Sequence, residues 1–121
     1  MKEKQRHPKN DNLEILSSLM VEPKAIDIDL KDCYYTDNIY IASYLKVKDC
    51  KLMMIYRCQD ISNQRMVTHF WFIHPDGNEP IKQATLNYYN DVLSYNINAN
   101  SFVASLQSIK KLLNIGKANI A

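Results

Sequence analysis

The segment Met66–Ile73 constrains the fold more than any other part of the sequence, because its apolar side chains occupy both parities of a strand. Side chains alternate between the two faces of a strand. Phe70 and Phe72 would therefore point to one face, and Trp71 would point to the other. A strand that is apolar on both faces is usually central or covered on both sides. This segment therefore predicts the core of the protein.

A second strand-forming segment, residues 51–58, lies just before it, and a polar stretch separates the two. Together they predict an antiparallel hairpin at the centre of a small sheet. One register would place Arg57 opposite His69 and would make the face that also carries Trp71 basic and aromatic. A shift of the register by one residue would remove this arrangement. The alternative is that the Trp71 face is buried under the last helix of the chain.

The predicted fold class is α+β, with a small, mainly antiparallel sheet around one central hairpin, packed against three to four helices. The predicted helices are a short one from Asn12 that ends before Pro23, one at residues 37–48 capped by Thr36, one from Pro80 to Asn90, and one at residues 99–114 capped by Asn98 or Asn100. Further extended segments are predicted at Ala25–Leu30, where apolar and acidic residues alternate, and at residues 93–97.

The last helix has the clearest amphipathic spacing, with apolar residues that follow one another by four, three and four positions: Phe102, Leu106, Ile109 and Leu113. That spacing places the four side chains on one face of the helix. We expect this face to be buried against Phe70 or Phe72.

The length of 121 residues is about that of one domain, and a net charge of +2 is too small to indicate a partner. We expect a flexible basic tail at residues 1–11 and a single α+β domain at residues 12–121. No window holds the roughly 18 uninterrupted apolar residues of a membrane span, and no apolar segment of a secretory signal follows the charged N-terminus. We therefore expect no membrane partner and a cytoplasmic location.

Three cysteines, Cys33, Cys50 and Cys58, make an odd number and lack the paired spacing of metal ligands. We expect three free thiols, partly buried, in a reducing compartment. His69 and His74 are five residues apart, so a continuous strand would point them to opposite faces. We therefore expect no metal site and no cofactor.

The sequence also offers little for catalysis. It has two glycines and no G-x-S-x-G element, so it provides neither a glycine-rich phosphate loop nor a nucleophile elbow. A Cys58–His69 pair across the hairpin is conceivable, although packing of Cys58 in the core is the stronger expectation. Asp27 and Asp29 fit a solvated strand face better than an acid–base pair. We expect no catalytic residues and no enzymatic activity.

Several short motifs occur in a suggestive order along the chain: Thr36–Leu45, Lys51-Leu52, Phe70–Phe72, Tyr89-Asn90 and Phe102–Leu113. This order resembles a small uncharacterised family of bacteria and their phages, known as a domain of unknown function. The resemblance covers about residues 32–113, and it departs from the family at Cys50, where a glycine is expected before the first strand. It implies the same order of elements and a phage or bacterial origin, but no activity and no catalytic residues.

Binding to a macromolecule is therefore the expected function, as a protein-binding adaptor or inhibitor that acts as an accessory protein. Tyrosine is enriched at interfaces, and the candidate protein interface consists of Tyr34, Tyr35, Tyr40 and Tyr44. We expect a protein partner, and a homodimer is a further option. The alternative is a small DNA- or RNA-binding protein with a basic aromatic hairpin, whose candidate surface consists of Lys46, Lys48, Lys51, Arg57, Arg65, His69 and Trp71.

Overall fold

The computed structural model describes residues 6–7, 9–22, 29–93 and 97–118. Within these ranges the strands are β1 Arg6–His7, β2 Asn10–Met20, β3 Tyr34–Thr36, β4 Lys51–Asp60 and β5 Met66–Ile73. The helices are α1 Ile39–Val47, α2 Glu79–Leu93 and α3 Ala99–Ala118, and a short 3-10 helix spans Leu30–Asp32. The five strands form one antiparallel sheet in the order β1-β2-β4-β5-β3. The structure therefore has the predicted α+β class.

Strands β4 and β5 pair in a register one residue away from the one that would create a basic and aromatic face. Arg57 lies opposite Thr68, and Tyr56 lies opposite His69. An irregularity between Leu52 and Met54 then changes the register toward the start of β4. Because side chains alternate, Arg57 points to the opposite face from His69 and Trp71. The prediction of one basic and aromatic hairpin face is therefore wrong.

The two faces of β5 are covered by different parts of the chain. Phe70 and Phe72 belong to a first cluster between the sheet and the helices, with Leu45, Ile81 and Ile109 among its buried members. Trp71 is fully buried in a second cluster on the other face, together with Leu13, Cys33, Met53, Met54, Tyr56 and Cys58. The alternative in which the last helix covers the Trp71 face is wrong, because α3 packs over the Phe70 and Phe72 side.

The segment predicted as a short helix from Asn12 is strand β2, which pairs with β4 along its length. Its register shifts between Ile15 and Ser17. Such a bulge moves the side chains that follow it to the other face. Leu13 accordingly packs in the second cluster and Leu19 against the first. The helix-like spacing of leucines is thus the spacing of a bulged strand.

The predicted flexible tail at residues 1–11 needs correction where the structure describes it. Arg6–His7 forms β1, which pairs with β2, and His7 is buried against the sheet. The same tail prediction includes Asn10, which begins β2. Of the predicted strand Ala25–Leu30, residues 25–28 lie outside the described residues, and Leu30 begins the 3-10 helix. Of the predicted link at 93–97, residues 94–96 lie outside them.

Helix starts follow side-chain caps, as expected from their asparagines. The Asn98 side chain accepts a hydrogen bond of 3.0 Å from the Ser101 backbone N–H at the start of α3. Helix α1 is capped by Asn38, which accepts from the backbone of Ile41 at 3.2 Å. The predicted cap Thr36 instead ends β3, and its hydroxyl accepts a hydrogen bond of 3.2 Å from the Asn38 backbone.

The predicted buried face of α3 is only partly correct. Ile109 is fully buried in the first cluster, and Leu113 packs at its edge. Phe102 and Leu106 are half-buried, so the deepest contact lies at Ile109, in the second half of the predicted stripe. Cys33, Cys50 and Cys58 are free and buried. Among the described helices, none is long and apolar enough to cross a membrane.

Replacing Ile109 with alanine should lower the free energy of unfolding by about 2–5 kcal/mol, because it leaves a cavity against the sheet. Val103→Ala is the matched control, since Val103 lies on an exposed side of the same helix. This control should change the free energy by less than about 0.5 kcal/mol. Urea unfolding followed by circular dichroism measures both. Equal effects of the two substitutions would contradict the docking of α3 through Ile109.

Candidate functional site

A polar cluster is buried on the face of the sheet away from the helices. It consists of His7 from β1, Cys58 from β4 and His69 from β5, and we call it the His-Cys cluster. One possible ligand atom from each side chain lies within 4.8 Å of the other two. The three residues are 1%, 0% and 4% exposed, respectively. Three strands that are distant in sequence therefore bring two imidazoles and one thiol together in the interior.

A chain of hydrogen bonds sets the protonation of the two histidines. The backbone N–H of Lys9 donates to His7 Nδ1 at 3.2 Å, so this nitrogen carries no proton. The proton of neutral His7 is therefore on Nε2, which lies 2.7 Å from His69 Nδ1 and donates to it. Burial lowers the pKa of His7 from 6.5 to about 4, with smaller contributions from His69 and Lys9. Burial also lowers the pKa of His69, and Asp37 opposes this effect.

Aromatic rings enclose the His-Cys cluster. Tyr35 stacks on His69 with ring centroids 4.4 Å apart and on Trp71 at 5.0 Å. His7 lies edge-on to Tyr35 at 5.0 Å. The ammonium group of Lys9 lies 5.7 Å from the centre of the Tyr35 ring and donates a hydrogen bond of 2.8 Å to the carbonyl of Cys33. These contacts hold the rings in place on several sides.

The thiol of the cluster is protonated at neutral pH. Burial raises the pKa of Cys58 to about 11. A protonated, buried thiol is a weak nucleophile, so the geometry does not favour covalent catalysis by Cys58. A groove of about 630 Å³ opens beside the cluster and is lined by His69, Tyr35, Lys9 and Arg65 among others. Acidic Asp37 and Asp60 line the same groove, so its charges are mixed.

The four tyrosines of the predicted protein interface do not form one patch. Tyr34 and Tyr35 are neighbours on β3 and pack against the first and second clusters, respectively. Tyr40 is exposed on α1, whereas Tyr44 is buried. The Tyr44 hydroxyl donates a hydrogen bond to the Asp91 carboxylate, which ties α1 to α2. Burial, together with this hydrogen bond, raises the pKa of Tyr44.

The residues of the predicted nucleic-acid surface are also dispersed. His69 and Trp71 are buried, and Arg57 points to the helix side of the sheet. Arg65 lies at the β4–β5 turn beside the groove that Asp37 and Asp60 also line. The three lysines lie at the start of β4, away from the β4–β5 turn, or in the residues before β4. Lys46 donates a hydrogen bond to Ser108, and the Lys48 ammonium lies 4.0 Å from the Asp91 carboxylate. Lys51 lines a groove together with Lys46, Glu22 and Asp49. Acidic groups thus accompany the basic ones.

An exposed apolar stripe on α2 is the clearest surface feature that sequence reasoning missed. Leu86, Tyr89 and Leu93 are 69%, 59% and 78% exposed. Their spacing of three and four residues places them on one helix face. Ile81 anchors the inner side of α2 in the first cluster. We call Leu86, Tyr89 and Leu93 the α2 stripe.

The sequence around the α2 stripe is almost uncharged. Residues 83–109 contain a single charged side chain, Asp91. Average composition would give about one charged residue in four. The exposed polar residues on the other flank of α2 are amides: Gln83, Asn87 and Asn90. This gap in the charge distribution is the sequence signal from which the surface could have been predicted.

Comparison of the chain with protein-family models, with curated proteins and with solved structures finds no match. The resemblance of residues 32–113 to an uncharacterised bacterial and phage family therefore stays a prediction.

The buried histidines should make the metal-free protein less stable in acid. The unfolded chain takes up a proton at His7 near pH 6.5, but the folded chain does so only near pH 4. Neutral His7 therefore makes its full contribution to the free energy of unfolding above pH 6.5. That contribution, up to roughly 3 kcal/mol, is lost as the pH falls toward 4. Urea unfolding between about pH 7 and pH 4.5 measures this slope. His7→Gln should reduce the slope, and an unchanged slope would contradict burial of neutral His7.

Proposed function

We propose that this protein binds another protein, and that the α2 stripe receives an apolar, uncharged helix of that partner. The exposure of Leu86, Tyr89 and Leu93 carries the proposal. Contiguous exposed apolar side chains on a folded protein often mark an interaction surface, whereas single ones need no explanation. Three large side chains on adjacent turns of one helix form such a contiguous surface.

The charge distribution supports a partner of matching chemistry. Interface centres are depleted in charged residues and enriched in aromatic ones. The stretch 83–109 has one charged residue, and that residue, Asp91, is engaged with Tyr44 and lies near Lys48. Lys82, one turn before Leu86, is paired with Glu79, so the stripe offers few groups for a salt bridge to a charged partner. Apolar contact and hydrogen bonds to asparagine and glutamine amides are the interactions that it can provide.

The spacing of the α2 stripe favours a helix as the bound element. Side chains three and four residues apart form the ridges that pack into the grooves of a second helix. Recognition of an amphipathic helix uses apolar anchors at the same intervals. Tyr89 adds a large, half-rigid ring with a polar end, which suits an interface. The stripe thus has the pattern of one half of a helix–helix contact.

DNA or RNA binding receives less support from the described residues. Of the proposed surface, the two aromatic side chains, His69 and Trp71, are buried. Stacking on single-stranded nucleic acid needs an accessible aromatic ring. The basic residues share their grooves with carboxylates. We therefore place protein binding first and make nucleic acid an outcome of the test.

The test compares two double variants that each add two negative charges to α2. Leu86→Glu with Leu93→Glu changes the stripe, and Gln83→Glu with Asn90→Glu changes the polar flank of the same helix. Each is used as bait in lysate with and without nuclease treatment, after circular dichroism has shown that the fold is kept. We expect one partner to be retained by the wild type and the flank variant. The stripe variant should retain it at least roughly tenfold less, as expected for loss of central apolar anchors.

Three results would contradict the proposal. The first is equal recovery of every partner by the two variants. The second is a partner that disappears when the lysate is treated with nuclease. The third is a difference in oligomeric state: light scattering shows a dimer for the wild type and a monomer for the stripe variant. In that case the stripe would bind a second copy of this chain.

A further inference from the structure

We propose that the His-Cys cluster binds one Cu(I) ion, with His7 Nε2, His69 Nδ1 and Cys58 Sγ as ligands. The proposal rests on the convergence of three metal-binding side chains from three strands, all buried and with ligand atoms within 4.8 Å of one another. It concerns the sheet face opposite the helices and does not depend on the α2 stripe.

The donor set favours a soft ion. It contains one sulfur, two imidazole nitrogens and no carboxylate. Thiolate selects Cu(I) and zinc over magnesium, calcium and manganese, which prefer oxygen ligands. Zinc held by three protein ligands takes a fourth ligand such as water, and side chains that are at most 4% exposed leave little access for it, whereas three donors satisfy Cu(I). Within the described residues, the cluster supplies three.

Charge distinguishes Cu(I) from Zn²⁺ in the same cluster. One thiolate and one Cu(I) ion sum to zero, whereas one thiolate and one Zn²⁺ ion leave a positive charge. An unpaired charge in a protein interior is costly. Lys9 and Asp37, the charged groups that act on the two histidines, have opposite signs and offset each other. The neutral Cu(I) complex therefore fits this interior best.

The proton balance of binding is complete without a further reactant. Cys58 loses its thiol proton to solvent as the Cu–S bond forms. His69 keeps its proton on Nε2 and binds copper through Nδ1. His7 transfers its proton from Nε2 to Nδ1, so that Nε2 becomes a ligand and the hydrogen bond from the Lys9 backbone is lost. The copper ion stays in the same oxidation state throughout.

Metal binding requires the ligand atoms to shift from their present positions. The 2.7 Å between His7 Nε2 and His69 Nδ1 is a hydrogen-bond distance. Metal–nitrogen bonds of about 2.0–2.1 Å at a trigonal ion need the two nitrogens to separate by roughly 1 Å more. His7 lies on β1, which has two residues and forms the edge of the sheet. The Tyr35 ring contacts both imidazoles, but His69 lies on the eight-residue strand β5 and His7 on the two-residue edge strand β1, so His7 is the ligand that moves more readily.

The expectation of no metal site came from the spacing of His69 and His74 along one strand. In the structure His74 lies beyond β5, beside Asp76, with 3.9 Å between Nδ1 and the carboxylate. The partner of His69 is instead His7, which lies 62 positions away in sequence. The Cys58–His69 pair across the hairpin, considered from the sequence, is part of the cluster.

The experiment titrates the metal-free, reduced protein with Cu(I) under nitrogen, in competition with a coloured Cu(I) chelator. We expect one Cu(I) per chain, a higher melting temperature in its presence, and copper X-ray absorption that shows one sulfur and two nitrogen neighbours. Cys58→Ala and His7→Gln should each weaken binding by more than about 100-fold, since even outer-shell partners of a metal site contribute 10- to 100-fold. If Cys58→Ala does not fold, the affinity of His7→Gln for Cu(I) still tests the proposal, because His7 lies on the short edge strand β1.

Cys50→Ala is the matched control, because Cys50 is an equally buried thiol in the first cluster. It should bind one Cu(I) with the affinity of the wild type. The proposal is overturned if the wild type binds no stoichiometric Cu(I), or if Cys50→Ala weakens binding as much as Cys58→Ala. It is also overturned if Zn²⁺ displaces Cu(I) from the cluster at equal concentration.

Discussion

Strand β5 carries bulky apolar side chains on both faces, so each face needs its own cover. The helices cover Phe70 and Phe72. Trp71 faces the other way and is enclosed by the start of the chain and by the segment around β3. The two-residue strand β1, the bulge in β2 and the burial of His7 all follow from the need for this second cover.

The segments that cover the Trp71 face bring polar side chains into the interior. Each of these side chains is stable there only if its hydrogen-bonding groups are paired. A buried imidazole must be neutral or paired, and His7 meets this requirement through His69 and the Lys9 backbone. Both imidazoles lie close to the Cys58 thiol, with ligand atoms within 4.8 Å of one another, and this closeness is the basis of the proposed metal site. On the opposite side of the molecule, α2 is anchored through Ile81 and leaves its stripe to solvent. The α2 stripe and the His-Cys cluster therefore lie in the two different parts of the chain that pack on the two faces of the sheet.

Local patterns in the sequence predicted local structure well, and long-range placement poorly. The two-sided strand 66–73 and the Asn98 cap of α3 follow from alternation and capping, which act over a few residues. The bulge at Leu16 could not be seen, because it imitates helical spacing and depends on pairing with β4. The sequence left the hairpin register open for the same reason. His7 meets His69 only after the sheet has formed, so no spacing along the chain predicts the His-Cys cluster, whereas the charge-poor stretch 83–109 could have indicated the α2 stripe.

The central claim, that the start of the chain covers the second face of β5, is tested most directly through Trp71, the single tryptophan of the protein. Its fluorescence reports on that face alone. The intact protein should emit at short wavelength and resist quenching by acrylamide, because the indole is fully buried. Removal of residues 1–9 should make the indole accessible to quencher while the helical circular dichroism remains. Strong quenching in the intact protein, or protection that survives the removal, would contradict the account.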